Sequence, residues 1–285
     1  MTVQACPESC PENGRRACPH CQRAVRRGAR FCSYCGIALR SPVKAQQDER
    51  PGQLFCASCG APISGRYLQL DGRREIYCET CFRDRPRCDV CGAPVGRGGQ
   101  QIADGRHICG VCHQTAVYDH DKAKSLFDRA VSIIQGELGL ALNVPTSFAL
   151  VDRTQLQAAV AQAGLSEEAS TNRTFGLFVR EGRKRVIYAQ CGLPQILMLQ
   201  VMAHEYAHAW QGENCPLLRN ALVREGFAEW LAYKVLSAMG ATKKMALMTQ
   251  RDDVYGQGLR ALLAVEQREG VLGVLRRCLR TPGQM

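Results

Sequence analysis

The sequence has no apolar run that reaches the roughly 18 residues a membrane span requires. Residues 1–14 contain no apolar segment that can act as a signal-peptide core. Both absences lead to the expectation of a soluble, cytoplasmic chain with no membrane partner. Beyond residue 112 the chain is also nearly free of cysteine: only Cys191, Cys215 and Cys278 remain of 17. That rules out a cysteine framework for this part, which is richer in Leu, Val and Ala and long enough to form its own core. The other 14 cysteines all precede residue 113. Two regions with different stabilising physics are implied.

The early cysteines come as Cys-x-x-Cys pairs, which in a reducing compartment favour metal binding over disulfides. Cys18-x-x-Cys21 and Cys32-x-x-Cys35 read as a zinc ribbon over residues 15–40. Four thiolates there hold a structural zinc that replaces a core too small to form alone. Residues 41–53, with Pro42, Pro51 and a polar stretch, read as a linker. Next comes an internal repeat, Cys56-Ala-Ser-Cys59-Gly-Ala-Pro and Cys88-Asp-Val-Cys91-Gly-Ala-Pro, whose units begin 32 residues apart. They close with Cys78-x-x-Cys81 and Cys109-x-x-Cys112. Over residues 54–115 these spacings resemble LIM domains, tandem zinc modules that dock protein partners. The six residues between the units, where a LIM domain commonly has two, make the resemblance LIM-like. Cys6 and Cys10 lie in residues 1–14, a tail expected to be disordered.

The formal charge of +11 falls to roughly +7 once three four-thiolate zinc sites and one further zinc are included. Arg15, Arg16, Arg23, Arg26, Arg27 and Arg30 surround the ribbon and offer phosphate contacts. Phe31 and Tyr34 are the only aromatics there, however, so nucleic-acid binding through the ribbon is a minor alternative to a solvated basic face.

In residues 116–285, apolar residues recur at helical spacing over 121–142. A short strand is expected at 147–151 and a helix at 154–163. The β-rich segments 174–180 and 185–190 flank Glu181-Gly182-Arg183-Lys184 and predict a hairpin whose edge can receive a substrate backbone. Pro194 suits the first turn of a largely buried helix that Gly212 can end. That helix carries His204-Glu205-Tyr206-Ala207-His208. Histidines four apart leave the same helix face and can share one ion, while Glu205 points aside toward a bound water. With six His in the chain, such a pattern arises by chance in roughly one chain in a hundred.

A zincin needs a third protein ligand. Glu225 and Glu229 share a face of the next predicted helix, 221–239, opened by Asn220 and closed by Gly240. Glu225 is the first choice as ligand and Glu229 as the carboxylate that orients a ligand histidine; the reverse assignment stays open. Zinc with three protein ligands lowers the pKa of its water to near 7, and Glu205 can take the proton as a peptide carbonyl is attacked. Tyr255 is the candidate donor to the oxyanion, with Tyr188, Tyr206 and Tyr233 as rivals. Cys191, Cys215 and Cys278 lack paired spacing and read as small buried apolar residues.

Several stretches together resemble a known family. They are Gly192-Leu193-Pro194, Ala203-His204-Glu205, His208-Ala209-Trp210, Glu225-Gly226 and Val254-Tyr255-Gly256-Gln257-Gly258-Leu259-Arg260, followed by a helix to Arg280 and Thr281. This pattern resembles the plant LIM-domain peptidases that limit organ growth and are activated by ubiquitin, with their bacterial relatives. The resemblance implies a gluzincin-type peptidase acting on folded or partly folded proteins. The ubiquitin-interacting helices of the plant proteins have no counterpart in the sequence, and the zinc ribbon is expected to take their place.

The expected architecture is an α+β zincin-like (gluzincin) peptidase domain behind a zinc ribbon and a LIM-like double zinc finger. Its expected cofactors are one catalytic and about three structural zinc ions. The expected function is a zinc-dependent endopeptidase whose fingers position protein substrates or partners. The alternative is a zinc-finger adaptor or nucleic-acid-binding protein in which the peptidase fold is an inactive scaffold.

Overall fold

A computed structural model describes residues 15–17, 24–26, 53–70, 73–164, 174–182 and 184–279. The expected tail, the linker up to residue 52 and the four ribbon cysteines lie outside the described residues. What is described of the ribbon region is an antiparallel pair, β1 (Arg15–Ala17) with β2 (Ala24–Arg26).

The two cysteine repeats fold alike. In the first, β3 (Leu54–Phe55) pairs with β4 (Pro62–Ile63), and β5 (Tyr67–Gln69) pairs with β6 (Ile76–Cys78), which leads into helix α1 (Glu79–Asp84). In the second, Arg87 bridges Pro94, and β7 (Gln100–Gln101) pairs with β8 (His107–Ile108) ahead of helix α2 (Gly110–Gln114). The first Cys-x-x-Cys turn of each repeat closes on a glycine: Gly60 N–H donates to Cys56 O at 2.7 Å and Gly92 N–H to Cys88 O at 2.8 Å. Both glycines have φ above 70°, a conformation costly for any residue with a Cβ. The residues between the repeats fold back on themselves, with Arg87 stacked 3.8 Å over the Phe82 ring and bonded to the Phe82 carbonyl.

Strand β9 (Ala116–Val117) leaves α2 and pairs with β13 (Leu193–Pro194), placing the exit of the cysteine modules beside the start of the helix that carries His204 and His208. Between them come α3 (His120–Leu138), β10 (Thr146–Val151), α4 (Arg153–Gln162), β11 (Gly176–Glu181) and β12 (Lys184–Gln190). The sheet order is β10-β12-β11, with β10 parallel and β11 antiparallel to the central strand. The hairpin therefore puts β11 at the edge. Helices α5 (Gln195–Asn214), α6 (Ala221–Ala238), α7 (Thr242–Thr249) and α8 (Val254–Leu279) complete the chain.

The helix ends follow local chemistry. Asp152 and Gln155 form a reciprocal capping box at α4, and the Asn220 side chain caps α6 by accepting from Val223 N–H. Helix α3 stops at Leu138 rather than 142, because Gly139 turns left-handed and takes the cap bond. Helix α5 runs through Gly212 and ends at Asn214. A methylene at Gly212 meets only Phe178 at 3.7 Å, so nothing stops the helix until Cys215-Pro216. Pro194 lies just before α5 as its N-cap, not within the first turn. Helix α8 breaks at Gly270 and is described to Leu279; Arg280 and Thr281, expected to continue it, lie outside the described residues.

Helices α5 and α6 are apolar on nearly all sides, as buried helices must be. Met198, Met202, Phe227, Trp230 and Leu231 are fully enclosed in one core with Ile134 and Ile187. Helices α6 and α8 touch backbone to backbone: a Cβ on Gly226 would come within 2.7 Å of Gly258 Cα, and one on Gly258 within 2.6 Å of Gly226 Cα. That contact fixes Glu225, one residue away. Among the described residues no helix is long and apolar enough to cross a membrane.

Candidate metal centre

Helix α5 projects His204 and His208 from one face, and α6 brings Glu225 opposite them. The Nε2 atoms of the histidines are 3.1 Å apart. Glu225 Oε2 stands 3.4 Å from His204 Nε2 and 3.3 Å from His208 Nε2. Tetrahedral zinc with bonds of about 2.0–2.1 Å places its ligand atoms roughly 3.3–3.4 Å apart. The three side chains thus already have the edge lengths of a three-ligand zinc site. Glu229, one turn on, lies against the other ring nitrogen, with Oε1 3.3 Å from His204 Nδ1, at an angle that falls short of a hydrogen bond. Glu225 is therefore the carboxylate that meets both Nε2 atoms, and Glu229 stands behind a histidine.

The cysteines of both modules also converge. Cys56, Cys59, Cys78 and Cys81 form one group, Cys88, Cys91, Cys109 and Cys112 another, and within each the sulfur atoms lie within 4.8 Å of one another. Four thiols so close suit a tetrahedral metal, with sulfur–sulfur edges of roughly 3.8 Å for zinc; Cys91 and Cys109 are 3.6 Å apart. The thiols differ: Cys56, against its burial, is held to a pKa of about 7 by backbone N–H groups of Cys59 and Cys78, whereas burial pushes Cys78 up to about 12.

Behind the histidine–glutamate centre lies a layer that sequence reasoning did not single out. His208 Nδ1 meets Gln211 Oε1 at 3.0 Å, and Gln211 Nε2 donates to Arg224 O at 3.0 Å. The carboxamide oxygen can only accept, so Nδ1 carries the proton and Nε2 keeps its lone pair for a metal. Gln200 Nε2 donates to Glu229 Oε2 at 3.1 Å. Arg224 holds the second oxygen of Glu225 at 2.9 and 3.0 Å. Gln200 is four residues before His204 and Gln211 three after His208, so helical spacing alone could have found both. Arg251 could not be found that way. It comes from the α7–α8 connection, 3.8 Å from Glu229 and 4.8 Å over the Tyr255 ring.

The electrostatics match a cation site. Burial opposes a charged His204, yet Glu225 and Glu229 push its pKa up to about 10. Burial also works against charge on Glu229, but His204 and Arg251 bring it down to about 2. Nearby Lys244 is lowered to about 8, mainly by burial. The carboxylates thus supply negative charge that a proton on His204 partly neutralises without metal.

Glu205 touches none of this directly. Its side chain faces the first residue of β11, where a Cβ on Gly176 would lie 3.0 Å from Glu205 Cγ and 3.2 Å from Oε1. Burial pushes its carboxyl pKa upward, with His204 and His208 pulling the other way. The Tyr255 ring centroid lies 5.8 Å from that of His204, and burial raises its phenol to about 12. Of the rival tyrosines, Tyr206 donates to Leu140 O at 2.9 Å inside the core, Tyr188 packs with Leu156 and Val160, and Tyr233 packs against the main core.

With this geometry in view, comparison with known proteins is informative. A zinc-ribbon domain matches residues 18–39 and a LIM domain residues 56–117. The chain is similar to the DA1 proteins. In Arabidopsis thaliana, Protein DA1-related 6 is 25% identical over 63% of this chain and 33% of its own length. Protein DA1-related 2 and Protein DA1 are each 22% identical over 64% of this chain and 48% of their own lengths. The chain therefore spans a third to about half of the curated relatives it matches. No solved structure matches it. The wider spacing between the repeats does not prevent the LIM match, and zinc is the cofactor that the ribbon, the LIM domain and the cysteine groups share.

Proposed function

We propose that this zinc-binding, DA1-like chain is a gluzincin-type endopeptidase that hydrolyses peptide bonds of protein substrates. The observation that carries the reading is the convergence of His204, His208 and Glu225 at zinc-ligand separations, with Glu205 outside that set and facing the edge strand β11. Zinc held by those three residues supplies a Lewis acid that acidifies water and polarises a peptide carbonyl.

The chain's own residues do the rest. Strand β11 offers its open edge to an extended peptide, whose backbone hydrogen bonds position the scissile bond along the start of the strand. Gly176, without a side chain, lets β11 itself lie close against Glu205. The Glu205 carboxylate, its pKa raised by burial, takes a proton from the attacking water and returns it to the leaving amine. Gln211 and Glu229 keep the two imidazoles aimed. Tyr255, held under Arg251, is the residue placed to donate to the developing oxyanion. The LIM modules supply a surface for substrate or partner proteins.

The test is to incubate unfolded protein substrates with zinc-loaded protein and map the new termini by mass spectrometry. Internal cleavage by the wild type that vanishes in Glu225→Gln, with the loss of one zinc per chain, is expected. Cleavage that persists after that zinc is gone refutes the reading.

A further inference from the structure

The three cysteines of the helical half are not alike: Cys215 and Cys278 are buried in the main core, as expected of small apolar residues, while Cys191 is not fully buried. Cys191 is half-buried, with its sulfur 3.5 Å from Arg106 Nη2. Cys215 and Cys278, 63 positions apart, meet with Sγ atoms 3.4 Å from each other. They are 7% and 1% exposed. Among the described residues neither belongs to a group of three or more metal-ligand side chains, so a shared metal does not account for the contact.

The pair sits where two segments end. Cys215 caps α5, its N–H bonded to Gln211 O at 2.7 Å. Cys278 lies in the last turn of α8, in the piece that follows the break at Gly270, where φ is 68° and ψ −173°. Gln211 connects the thiols to the metal centre: its Nε2 is 3.7 Å from Cys278 Sγ, and its Oε1 is 3.0 Å from His208 Nδ1.

The geometry points to a disulfide-forming site: Cys215 and Cys278 are oxidised by a peroxide, clipping the last piece of α8 to the end of α5 and fixing Gln211 behind His208. A disulfide holds its sulfurs at about 2.05 Å, so the pair at 3.4 Å must close by roughly 1.4 Å. The backbone break at Gly270 gives the helical piece that follows a hinge for that movement. The Cys215 sulfur attacks a peroxide oxygen, giving a sulfenic acid and one water. The Cys278 sulfur then displaces the hydroxyl as a second water. Two thiols and one hydrogen peroxide thus yield one disulfide and two waters. Cys215 suits the first role, since it is the more exposed of the two.

Disulfide formation stands apart from the peptidase reading. Its effect on His208 is therefore read as metal retention, not turnover. The zinc-loaded full chain is treated with hydrogen peroxide, alkylated, and peptide-mapped without reduction. The expected product joins the Cys215 and Cys278 peptides, raises the melting midpoint by roughly 5–15 °C reversibly with dithiothreitol, and slows loss of zinc to a chelator at least threefold. Cys215→Ser and Cys278→Ala, made separately so that a folding defect in one leaves the other, should show none of these changes. If both cysteines alkylate freely after peroxide, or oxidise without joining, the site is refuted. If the cross-link forms but zinc loss is unchanged, the connection to His208 is refuted.

Discussion

The two LIM repeats share their sequence pattern, their knuckle glycines and their four-cysteine groups, yet they are held in different ways. The first repeat reaches the second through Arg97 N–H to Ser58 O at 2.9 Å and Arg73 to Cys112 Sγ at 3.2 Å. The second is built into the helical half. Arg106, 1% exposed, bonds Asp104 within its own repeat and reaches Gln190 Oε1 and Cys191 O, each at 2.8 Å. Asp104 also accepts from Arg153 N–H at 2.9 Å, and Asp89 pairs with the Arg153 guanidinium. These contacts grip the end of β12 and the start of α4, and β9 then pairs with β13 just ahead of α5, which carries His204 and His208. A repeated sequence can therefore give one module whose loss is local and one whose loss spreads.

The strongest way to break this comparison is to remove one zinc from each repeat. Cys88→Ala should cost on the order of 5–10 kcal/mol and melt the helical half with its module. Cys56→Ala should lose one zinc while the helical half melts within about 1 kcal/mol of wild type. Zinc content and thermal unfolding followed through the Trp residues distinguish the two. Next, Arg106→Met leaves a buried Asp104 without its partner and should cost about 3–5 kcal/mol, read as a shift in the denaturant midpoint. Arg73→Met, at the first repeat, should cost less.

From the helical side, Gly226→Ala drives a Cβ into the α8 backbone and should cost about 1–3 kcal/mol. It should also weaken zinc at the His204 site, which a chelator titration measures, and leave both cysteine zincs in place. The smallest effect is in pH dependence. His204, raised to about 10 by Glu225 and Glu229, must lose its proton before it can bind zinc. Affinity at that site should therefore rise about tenfold per pH unit between pH 6 and 8. Glu229→Gln removes one source of the raised pKa and should flatten that slope, while the cysteine sites keep theirs.

Much of this was readable before folding, because the informative features are local. Cys-x-x-Cys pairs, histidines four apart, and strands around a Gly-containing turn depend on spacing along the chain, and the hairpin formed at nearly the expected residues. What stayed hidden depends on tertiary contact. Arg106 acts on residues 84 and 85 positions away, and a lone Arg near a knuckle looks like a solvated charge. Arg251 and the thiol pair are equally silent in sequence. The choice between Glu225 and Glu229 was undecided because both lie on one face; only the rotation of α6, fixed by the Gly226–Gly258 contact, separates them. Gly212 misled because glycine is tolerated inside a helix packed this firmly.

The most direct measurement compares zinc-loaded wild type with Glu205→Gln on an unfolded protein substrate, with zinc content and melting recorded on the same samples. Glu205 holds no metal in this account, so the variant should keep every zinc and its fold while cleavage falls by about 10²–10⁴-fold. Cleavage by Glu205→Gln at the wild-type rate would contradict it.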